Sequence, residues 1–349
     1  MRYLKSTMLF VVALCFGFLL YKLGTPIPFM LAAMLAGMFA NQLPERYRPF
    51  WPMWGRNAGL LVVGYAIGAG ITIEAWHDFC TQFLTIVLTT TFVVGVSALI
   101  AFAISRLQGA DLLSSVLGMM PGGLAMIMVL VEENKRVDPN ITMVMQVLRL
   151  FGVIFTVPFL AISFMDAKVL SQVTSAGSAD GIHWLVFIPL GFAGALFFEK
   201  FHLPIPWMLG PAFSTGCFVI MASSVQSLPF WVMWPAQVAV GLKMGMLLEA
   251  SRVWATKKYL PSILLGTGVL IGSSYVMALF LHRIYGEDMI TAFLALSPGG
   301  ISEMSIAGLS MGADVAIILA YQLLRIFSIS WLVPYVVKWE ERRETGCRG

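Results

Sequence analysis

The chain has 349 residues, of which 59% are hydrophobic and 11% are charged, and its mean hydropathy is +0.85. Because an ordinary soluble domain is about 25% charged, this composition excludes a soluble catalytic or DNA-binding domain and predicts an integral membrane protein. The net charge of +4 reflects lysines and arginines in short loops.

Apolar runs follow one another along the whole chain. A membrane-spanning helix needs roughly 20 apolar residues, and ten are predicted, at 7–23, 27–43, 57–73, 82–105, 141–165, 183–198, 204–222, 232–248, 262–281 and 315–337. Two further apolar tracts, at 112–131 and 289–310, are each interrupted by Pro-Gly-Gly. The predicted fold is an all-α polytopic membrane protein with about ten transmembrane helices and two re-entrant or broken segments.

The second half of the chain repeats the first. TPIPFML at 25–31 recurs as LPIPWML at 203–209, PFWPMW at 49–54 as PFWVMW at 229–234, and MMPGGLAM at 119–126 as LSPGGISE at 296–303. Further on, Asp138, Gln146 and Arg149 correspond to Asp314, Gln322 and Arg325. This duplication predicts a first membrane repeat at 1–165, a linker at 166–182, a second repeat at 183–340 and a cytoplasmic tail at 341–349.

Some repeated pieces have structural explanations. Duplicated tryptophan pairs, Trp51 with Trp54 and Trp231 with Trp234, predict an aromatic belt at the membrane surface. Duplicated Gly-x-x-x-Gly pairs predict close helix packing, at Gly64 with Gly68 and at Gly241 with Gly245.

Loop charges predict that the two repeats are inverted, because lysine and arginine in short loops mark the cytoplasmic side. The loop after the second span carries three arginines, whereas its equivalent at 223–231 carries no charge and the following loop holds Arg252, Lys257 and Lys258. Inversion needs an odd number of crossings per half, so each Pro-Gly-Gly tract is predicted to enter and leave on one side, with both termini cytoplasmic. The alternative is twelve spans in parallel repeats, which the loop charges oppose.

The Pro-Gly-Gly breaks are candidate solute sites. Non-helical backbone at membrane depth is tolerated only where it is buried in protein or lines a wet cavity, a pattern found in secondary transporters with inverted repeats. The helix that restarts after each break presents free N–H groups, which suits an anion or a carboxylate. The residues predicted to shape the site are Pro121, Gly122, Gly123, Pro298, Gly299 and Gly300.

Two arginines lie well inside apolar runs, where a cation must face protein or water and have a partner. Arg149 and Arg325 each follow a glutamine by three residues, which places Gln146 and Gln322 on the same helix face as the arginines. Two roles stay open at this point: the arginine could hold the broken segment through its freed carbonyls, or it could clamp an anionic substrate bidentately. The aspartates that precede them by eleven residues, Asp138 and Asp314, are predicted helix N-caps.

One carboxylate has no counterpart in the first repeat. Glu303 stands three residues after Gly300, and the equivalent position holds Met126. This asymmetry indicates a single titratable group suited to coupling with protons or a cation, with a plain ion pair to Arg325 as the alternative. Ser302, which precedes it, is included among the predicted substrate-binding residues.

The motifs resemble one known family. MMPGGLAMIMVLVEE at 119–133 and PGGISEMSIAGLSMGADVAIILAYQLLRIF at 298–327 are similar to the duplicated signature of the AbrB-type bacterial membrane protein family, which is distinct from the small soluble transcription factor of the same name. The resemblance covers nearly the whole chain, although the first copy lacks the glutamate and has Val137 before Asp138 where the signature has alanine. Members carry the label of an ammonia monooxygenase or of a regulator of gene expression, and the family is grouped with cation/proton antiporters and anion transporters.

The resulting expectation is a secondary transporter that moves a small polar solute, with an anion favoured, by alternating access with proton or cation coupling. The alternative is a membrane regulator or sensor that affects gene expression indirectly through a partner. No enzyme activity, cofactor, metal site or direct nucleic-acid partner is predicted, because no cluster of metal ligands or nucleotide-binding motif is present. The expected location is the bacterial cytoplasmic (inner) membrane with lipid and solute as partners, and a homodimer is considered because dimers are common in this architecture.

Overall fold

The computed structural model describes residues 2–71, 73–123, 127–128, 130–131, 137–164, 187–222 and 228–346. This part of the chain is helical and contains no β-strand. The helices are Arg2–Lys22, Pro28–Asn41, Met53–Ala69, Ile73–Gln108, Leu112–Met119, Pro139–Ile162, Phe187–Lys200, Pro206–Ala222, Phe230–Gly245, Ala250–Ala255, Leu260–Tyr285, Met289–Leu296, Ile301–Met311 and Val315–Gly346, with a short 3-10 helix at Lys257–Tyr259.

Five of the described helical segments are long and apolar enough to cross a membrane: Tyr3–Lys22, Phe79–Gln108, Pro139–Ile162, Lys257–Tyr285 and Val315–Leu332. Two shorter apolar helices are Pro28–Asn41 and Pro206–Met221. At 1.5 Å per residue, the 14-residue helix Pro28–Asn41 is about 21 Å long, less than the roughly 30 Å of hydrocarbon. The all-helical apolar fold is confirmed, whereas the ten-span count and the inversion of the repeats stay predictions. The predicted linker at 166–182 lies outside the described residues.

The chain divides into two compact units, and each unit draws on both halves of the sequence. The first unit comprises Met1–Cys80, Pro158–Glu249 and Ser305–Ile317, and the second comprises Thr81–Val157, Ala250–Met304 and Ile318–Gly349. The predicted boundaries, 1–165 and 183–340, are those of the sequence duplication and not of these compact units, and they stay a prediction.

In the first unit, the Gly-x-x-x-Gly pairs form close helix contacts across the two repeats, as their spacing predicts. A Cβ atom at Gly68 would lie 2.5 Å from the Ala212 carbonyl oxygen, and one at Gly241 would lie 2.7 Å from the Met30 carbonyl oxygen. The helix Met53–Ala69 therefore packs closely on Pro206–Ala222, and Phe230–Gly245 on Pro28–Asn41. The glycine-containing helix of each repeat thus packs on a helix of the other repeat, and the two contacts involve equivalent helices.

Trp51 differs from the prediction of an interfacial aromatic belt. Its side chain is 8% exposed, its Nε1–H donates to the Ala239 carbonyl oxygen at 2.9 Å, and its ring stacks on Phe10. The indole can be buried because its polar atom has found a protein acceptor. Trp54 and Trp231 are 67% and 64% exposed, so these two side chains remain available for an interfacial role.

The core of the second unit surrounds the first Pro-Gly-Gly tract. Leu117, Met119, Met120 and Ile127 are buried there together with Met145 from the helix Pro139–Ile162. Methionine side chains fill irregular gaps well, which suits a core built around a break in regular structure. The break is therefore enclosed by protein, as non-helical backbone in an apolar environment requires.

Candidate functional site

The two Pro-Gly-Gly breaks have the same local geometry. Short helices precede both, Leu112–Met119 in the first repeat and Met289–Leu296 in the second. Past the ends of these helices the Gly122 N–H donates to the Met120 carbonyl oxygen at 2.8 Å, and the equivalent Gly299 N–H donates to Ser297 at 2.8 Å. The proline in the middle lacks an N–H, so the chain turns sharply at the same residue in both repeats.

Helical hydrogen bonding restarts at equivalent glycines. The Gly123 carbonyl oxygen accepts the Ile127 N–H at 3.1 Å, and the Gly300 carbonyl oxygen accepts the Met304 N–H at 3.0 Å. In the second repeat this begins the helix Ile301–Met311. The N–H groups in the first turn of a helix have no acceptor within the helix, so this turn presents donors and the positive end of the helix dipole.

Both predicted N-caps open the helices that carry the arginines. The Asp138 Oδ1 accepts from the Asn140 N–H at 2.8 Å, and the Asp314 Oδ1 accepts from the Ala316 N–H at 2.9 Å. These bonds satisfy amides at the start of each helix and fix where it begins.

Two further caps escaped the sequence analysis. Asp111 and Asp288 cap the short helices before the breaks, and each accepts the amide of the third residue along, Ser114 at 2.8 Å and Thr291 at 3.0 Å. Aspartate is among the preferred N-cap residues, and an aspartate directly before an apolar run is a recognisable signal for the start of a helix.

In the first repeat, Gln146 and Arg149 reach the end of the short helix before the break. The Gln146 Nε2 donates to the carbonyl oxygens of Leu117 and Met120 at 2.6 and 3.1 Å. The Arg149 Nη1 donates to Met119 at 2.9 Å and also to Met120, while Nη2 donates to the Gln146 Oε1 at 2.8 Å.

The second repeat has the same arrangement. The Gln322 Nε2 donates to Leu294 at 3.2 Å and to Ser297 at 3.2 Å. The Arg325 Nη1 donates to the Ser297 carbonyl oxygen at 2.7 Å, and Nη2 donates to Gly299 at 2.6 Å and to the Gln322 Oε1. The arginine thus binds both sides of Pro298.

Each arginine therefore holds the free carbonyl groups of a broken helix, which was one of the two roles left open by the sequence. A cation is favourable there because the carbonyl end of a helix is the negative end of its dipole. The two side chains are 2% and 3% exposed, and the Nε atoms of Arg149 and Arg325 have no hydrogen-bond acceptor in the described part of the chain. Each guanidinium keeps one buried donor that the backbone does not use.

The first break also lies against the helix that carries Arg325. A Cβ atom at Gly122 would lie 3.1 Å from Cγ2 of Ile329, which stands one turn after Arg325. Ile329 is fully buried in the same core as Met120. Both breaks therefore belong to one packed unit.

Glu303 is buried beside the second break. Its side chain is 1% exposed, and the Ser302 Oγ donates to its Oε1 at 2.9 Å. The other oxygen lies over Gly300: a Cβ atom there would overlap Oε2 and would lie 2.9 Å from Cδ. Only glycine leaves room for the carboxylate in this position. Met126, the equivalent of Glu303 in the first repeat, lies outside the described residues.

Accessibility differs along each break. Pro121, Pro298 and Gly299 are buried, whereas Gly123 and Gly300 keep part of their surface accessible. Gly122 is partly accessible as well. In the second repeat the accessible residue of the break is the glycine at which the helix restarts, and it lies directly beside the buried carboxylate.

A separate polar network in the second unit was missed by the sequence analysis. The Gln82 Nε2 donates to the Glu287 Oε1 at 2.5 Å, and the Tyr321 hydroxyl donates to the Gln82 Oε1 at 3.3 Å. The equivalents of Glu287 and Tyr321 in the first repeat are Ala110 and Met145, so the second repeat is again the polar one.

The first unit contains a cavity of about 460 Å³ with mainly apolar walls, which include Phe10, Trp51, Trp54 and Pro235. None of the predicted site residues lines it. No group of three or more histidine, cysteine, aspartate or glutamate side chains that could hold a metal occurs among the described residues.

Comparison with known proteins agrees with the signature carried by the two breaks. The model of the family described as "Transition state regulatory protein AbrB" matches residues 6–341. "Uncharacterized protein YhjN" of Bacillus subtilis (strain 168) is 24% identical over 360 residues, covering 95% of this chain and 92% of its own length. "Putative regulator AbrB" of Escherichia coli (strain K12) is 24% identical over 346 residues, covering 97% of each chain. The family match spans nearly the whole sequence, and the protein belongs to the AbrB family.

Proposed function

We propose that this protein is a secondary transporter of the bacterial cytoplasmic membrane that moves a small anion by alternating access. The observation that carries the proposal is the pair of buried helix breaks, each held by an arginine and each followed by a glycine with accessible surface. Interrupted helices of this kind surround the solute sites of secondary transporters, where helix N-termini point at anionic groups. A helix with a purely structural role has no need of such a break, and here one occurs in each repeat.

The sign of the buried charge favours an anion. Among the described residues, the buried charged side chains are Arg149, Arg325 and Glu303, which gives two cations and one carboxylate. Charges in an apolar interior need compensation, and helix-end carbonyls supply only a partial negative charge. A bound anion would complete the compensation.

The proposed roles follow from position. Gly123 and Gly300 let a solute approach the backbone, and Ser302 offers a hydroxyl beside it. Arg149 and Arg325 position the breaks through the carbonyl groups, and each can offer its remaining Nε–H to a solute. Glu303 is the proposed coupling group. No enzyme activity, cofactor or direct contact with nucleic acid is part of this proposal, and the partners are lipid and solute.

A counterflow assay tests the transporter. Proteoliposomes that contain the purified protein are loaded with an unlabelled small anion, and the uptake of the same labelled anion is measured. Uptake should be much faster than in protein-free vesicles for at least one anion of a panel, and ammonium is tested in the same way as a cation. The Gly272→Ala variant is a suitable control, because no described atom lies within 4 Å of a Cβ atom at that position. If no solute in the panel exchanges faster with protein than without, the transporter proposal fails.

A second proposal rests on the printed name of the Escherichia coli relative, which is that of a regulator. In this alternative the protein is a membrane sensor that alters gene expression through a partner protein. Transcript profiles of a deletion strain complemented with either the wild type or an exchange-deficient variant distinguish the two. A variant without exchange that still restores the wild-type profile would favour the sensor.

A further inference from the structure

The Glu303 carboxylate lies back over the start of its own helix. It belongs to the first turn after Gly300, and the space that any side chain at position 300 would fill is taken by Oε2. The other oxygen accepts the Ser302 hydroxyl at 2.9 Å. Both carboxylate oxygens are therefore held at the N-terminal turn of the helix Ile301–Met311.

This turn is a favourable place for negative charge. The helix has 11 residues, and its first-turn N–H groups and dipole favour an anion there. Arg325 adds a full positive charge at the same break, through its bonds to Ser297 and Gly299. Its buried Nε–H, which has no acceptor in the described part of the chain, is a donor that a ligand could use.

We propose that Glu303 is a tethered competitor of the transported anion. The ionised carboxylate occupies the helix N-terminus at Gly300, and a small monovalent anion takes its place only after Glu303 binds a proton and its side chain moves away. This inference rests on the proposed anion transport and names its coupling: each anion that binds brings one proton with it, so the two move in the same direction.

The charged and polar groups named at this break favour the same protonation state of Glu303. Ser302 stabilises the ionised form of Glu303 through its hydrogen bond, and the positive charge of Arg325, which binds Ser297 and Gly299 at the same break, acts in the same sense. These groups favour the carboxylate in the absence of a competing anion. A second anion placed beside the ionised carboxylate would meet like-charge repulsion, which is why the proton has to arrive with it.

The first repeat cannot compete in this way, because position 126 is a methionine and carries no charge. No described atom lies within 4 Å of a Cβ atom at Gly123, the equivalent of Gly300. Competition therefore belongs to the second break alone, and one proton per anion is the expected stoichiometry.

Equilibrium binding tests the inference without any transport measurement. Purified full-length protein in detergent and weak buffer is titrated with potassium nitrate, formate or chloride between pH 5 and 9, against potassium gluconate at equal ionic strength. The wild type should take up about one proton per bound anion, and above its midpoint pH the affinity should fall about tenfold per pH unit. The Glu303→Gln variant should bind the same anion with no proton uptake and with the same Kd at every pH.

A second variant keeps the test independent of how well Glu303→Gln folds. In Ser302→Ala the ionised carboxylate loses a donor, so the midpoint pH of anion binding should rise by about one unit. Gly272→Ala, at an exposed position of the helix Leu260–Tyr285 that has no part in either break, is the control and should keep the wild-type midpoint.

The inference is overturned if wild-type anion affinity does not change with pH, if binding takes up no proton, or if folded Glu303→Gln binds none of the three anions more tightly than gluconate. An unmoved midpoint in Ser302→Ala also counts against it. Proton-linked binding without counterflow would refute the transporter alone, whereas counterflow with pH-independent binding would refute the competitor alone.

Discussion

The contact between Gly241 and the helix Pro28–Asn41 leads to a quantitative prediction for Gly241→Ala. The added methyl group would lie 2.7 Å from the Met30 carbonyl oxygen and 2.9 Å from the Ala33 Cβ. Carbon atoms are in favourable contact at about 3.5–4.0 Å, so the helices would have to separate by roughly 0.7 Å. Overpacking of this kind costs about 1–3 kcal/mol, and the nearest atom is backbone, which cannot rotate away. We expect a loss of about 2 kcal/mol.

Thermal unfolding of the purified protein in detergent measures this loss. A change of 1 kcal/mol moves the Tm of a large domain by about 2 °C, so Gly241→Ala should unfold about 4 °C lower. Gly272→Ala is the control, because that helix-interior glycine has no described atom within 4 Å of an added Cβ. Replacing such a glycine by alanine stabilises a helix by about 0.5–1 kcal/mol. A Gly241→Ala protein that unfolds at or above the wild-type temperature would show that the two helices have room for the methyl group.

The reciprocal contact provides an internal check. Gly64 is the equivalent of Gly241 in the first repeat, and in Gly64→Ala the methyl group would overlap the Met208 carbonyl oxygen and lie 3.0 Å from the Pro211 Cβ. Because the two contacts are equivalent by the sequence repeat, Gly64→Ala should lower the Tm by at least as much as Gly241→Ala. A large loss at one position and none at the other would contradict the equivalence of the two helix contacts.

Three further predictions concern other contacts. Arg325→Met removes the donors to two backbone carbonyls and one amide oxygen in the core and should destabilise the protein by about 3 kcal/mol. Arg325→Lys should not restore stability, because lysine lacks the planar guanidinium. An unchanged Tm would show that these hydrogen bonds do not stabilise the break. Trp51→Phe loses the bond to Ala239 and should cost about 1 kcal/mol in the same assay, whereas no loss would mean that the indole N–H is satisfied elsewhere. Single cysteines at Lys135 and Ala313 should be labelled from opposite sides of the membrane, and same-side labelling would rule out inverted repeats.

The breaks could be predicted because their residues have unusual chemistry for an apolar tract. Proline removes a donor, glycine permits a sharp turn, and a cation such as Arg325 in an apolar run requires a partner. The duplication then showed that Gln146 and Arg149 form a second copy of the same arrangement. The residues of the site were thus available from sequence, whereas the choice between holding the backbone and holding a solute required the hydrogen bonds.

Other features depend on tertiary packing that no local pattern encodes. Ile27 and Ile205 occupy equivalent places in the duplicated Pro-Ile-Pro motif, and both have a left-handed backbone, with φ of 42° and 45°. A β-branched residue rarely adopts this conformation, which costs about 1–3 kcal/mol, so it must be imposed by the surrounding structure. The position of the Glu303 carboxylate over Gly300 is similar: the spacing put both residues at the break, but it did not show that one fills the space left by the other.

The two repeats are alike in scaffold and different in chemistry, and this contrast limits the mechanisms that fit. Caps, turns and arginine bonds recur at equivalent residues, whereas the sequence positions after the break hold Ser302 and Glu303 in the second repeat and Ala125 and Met126 in the first. Glu303 is the one buried carboxylate among the described residues, and a passive channel through two equivalent breaks would gain nothing from it, because a carboxylate is costly to keep in an apolar interior. A coupled transporter does gain, because one titratable group links one proton to one anion. The asymmetry therefore favours coupled movement over passive conduction.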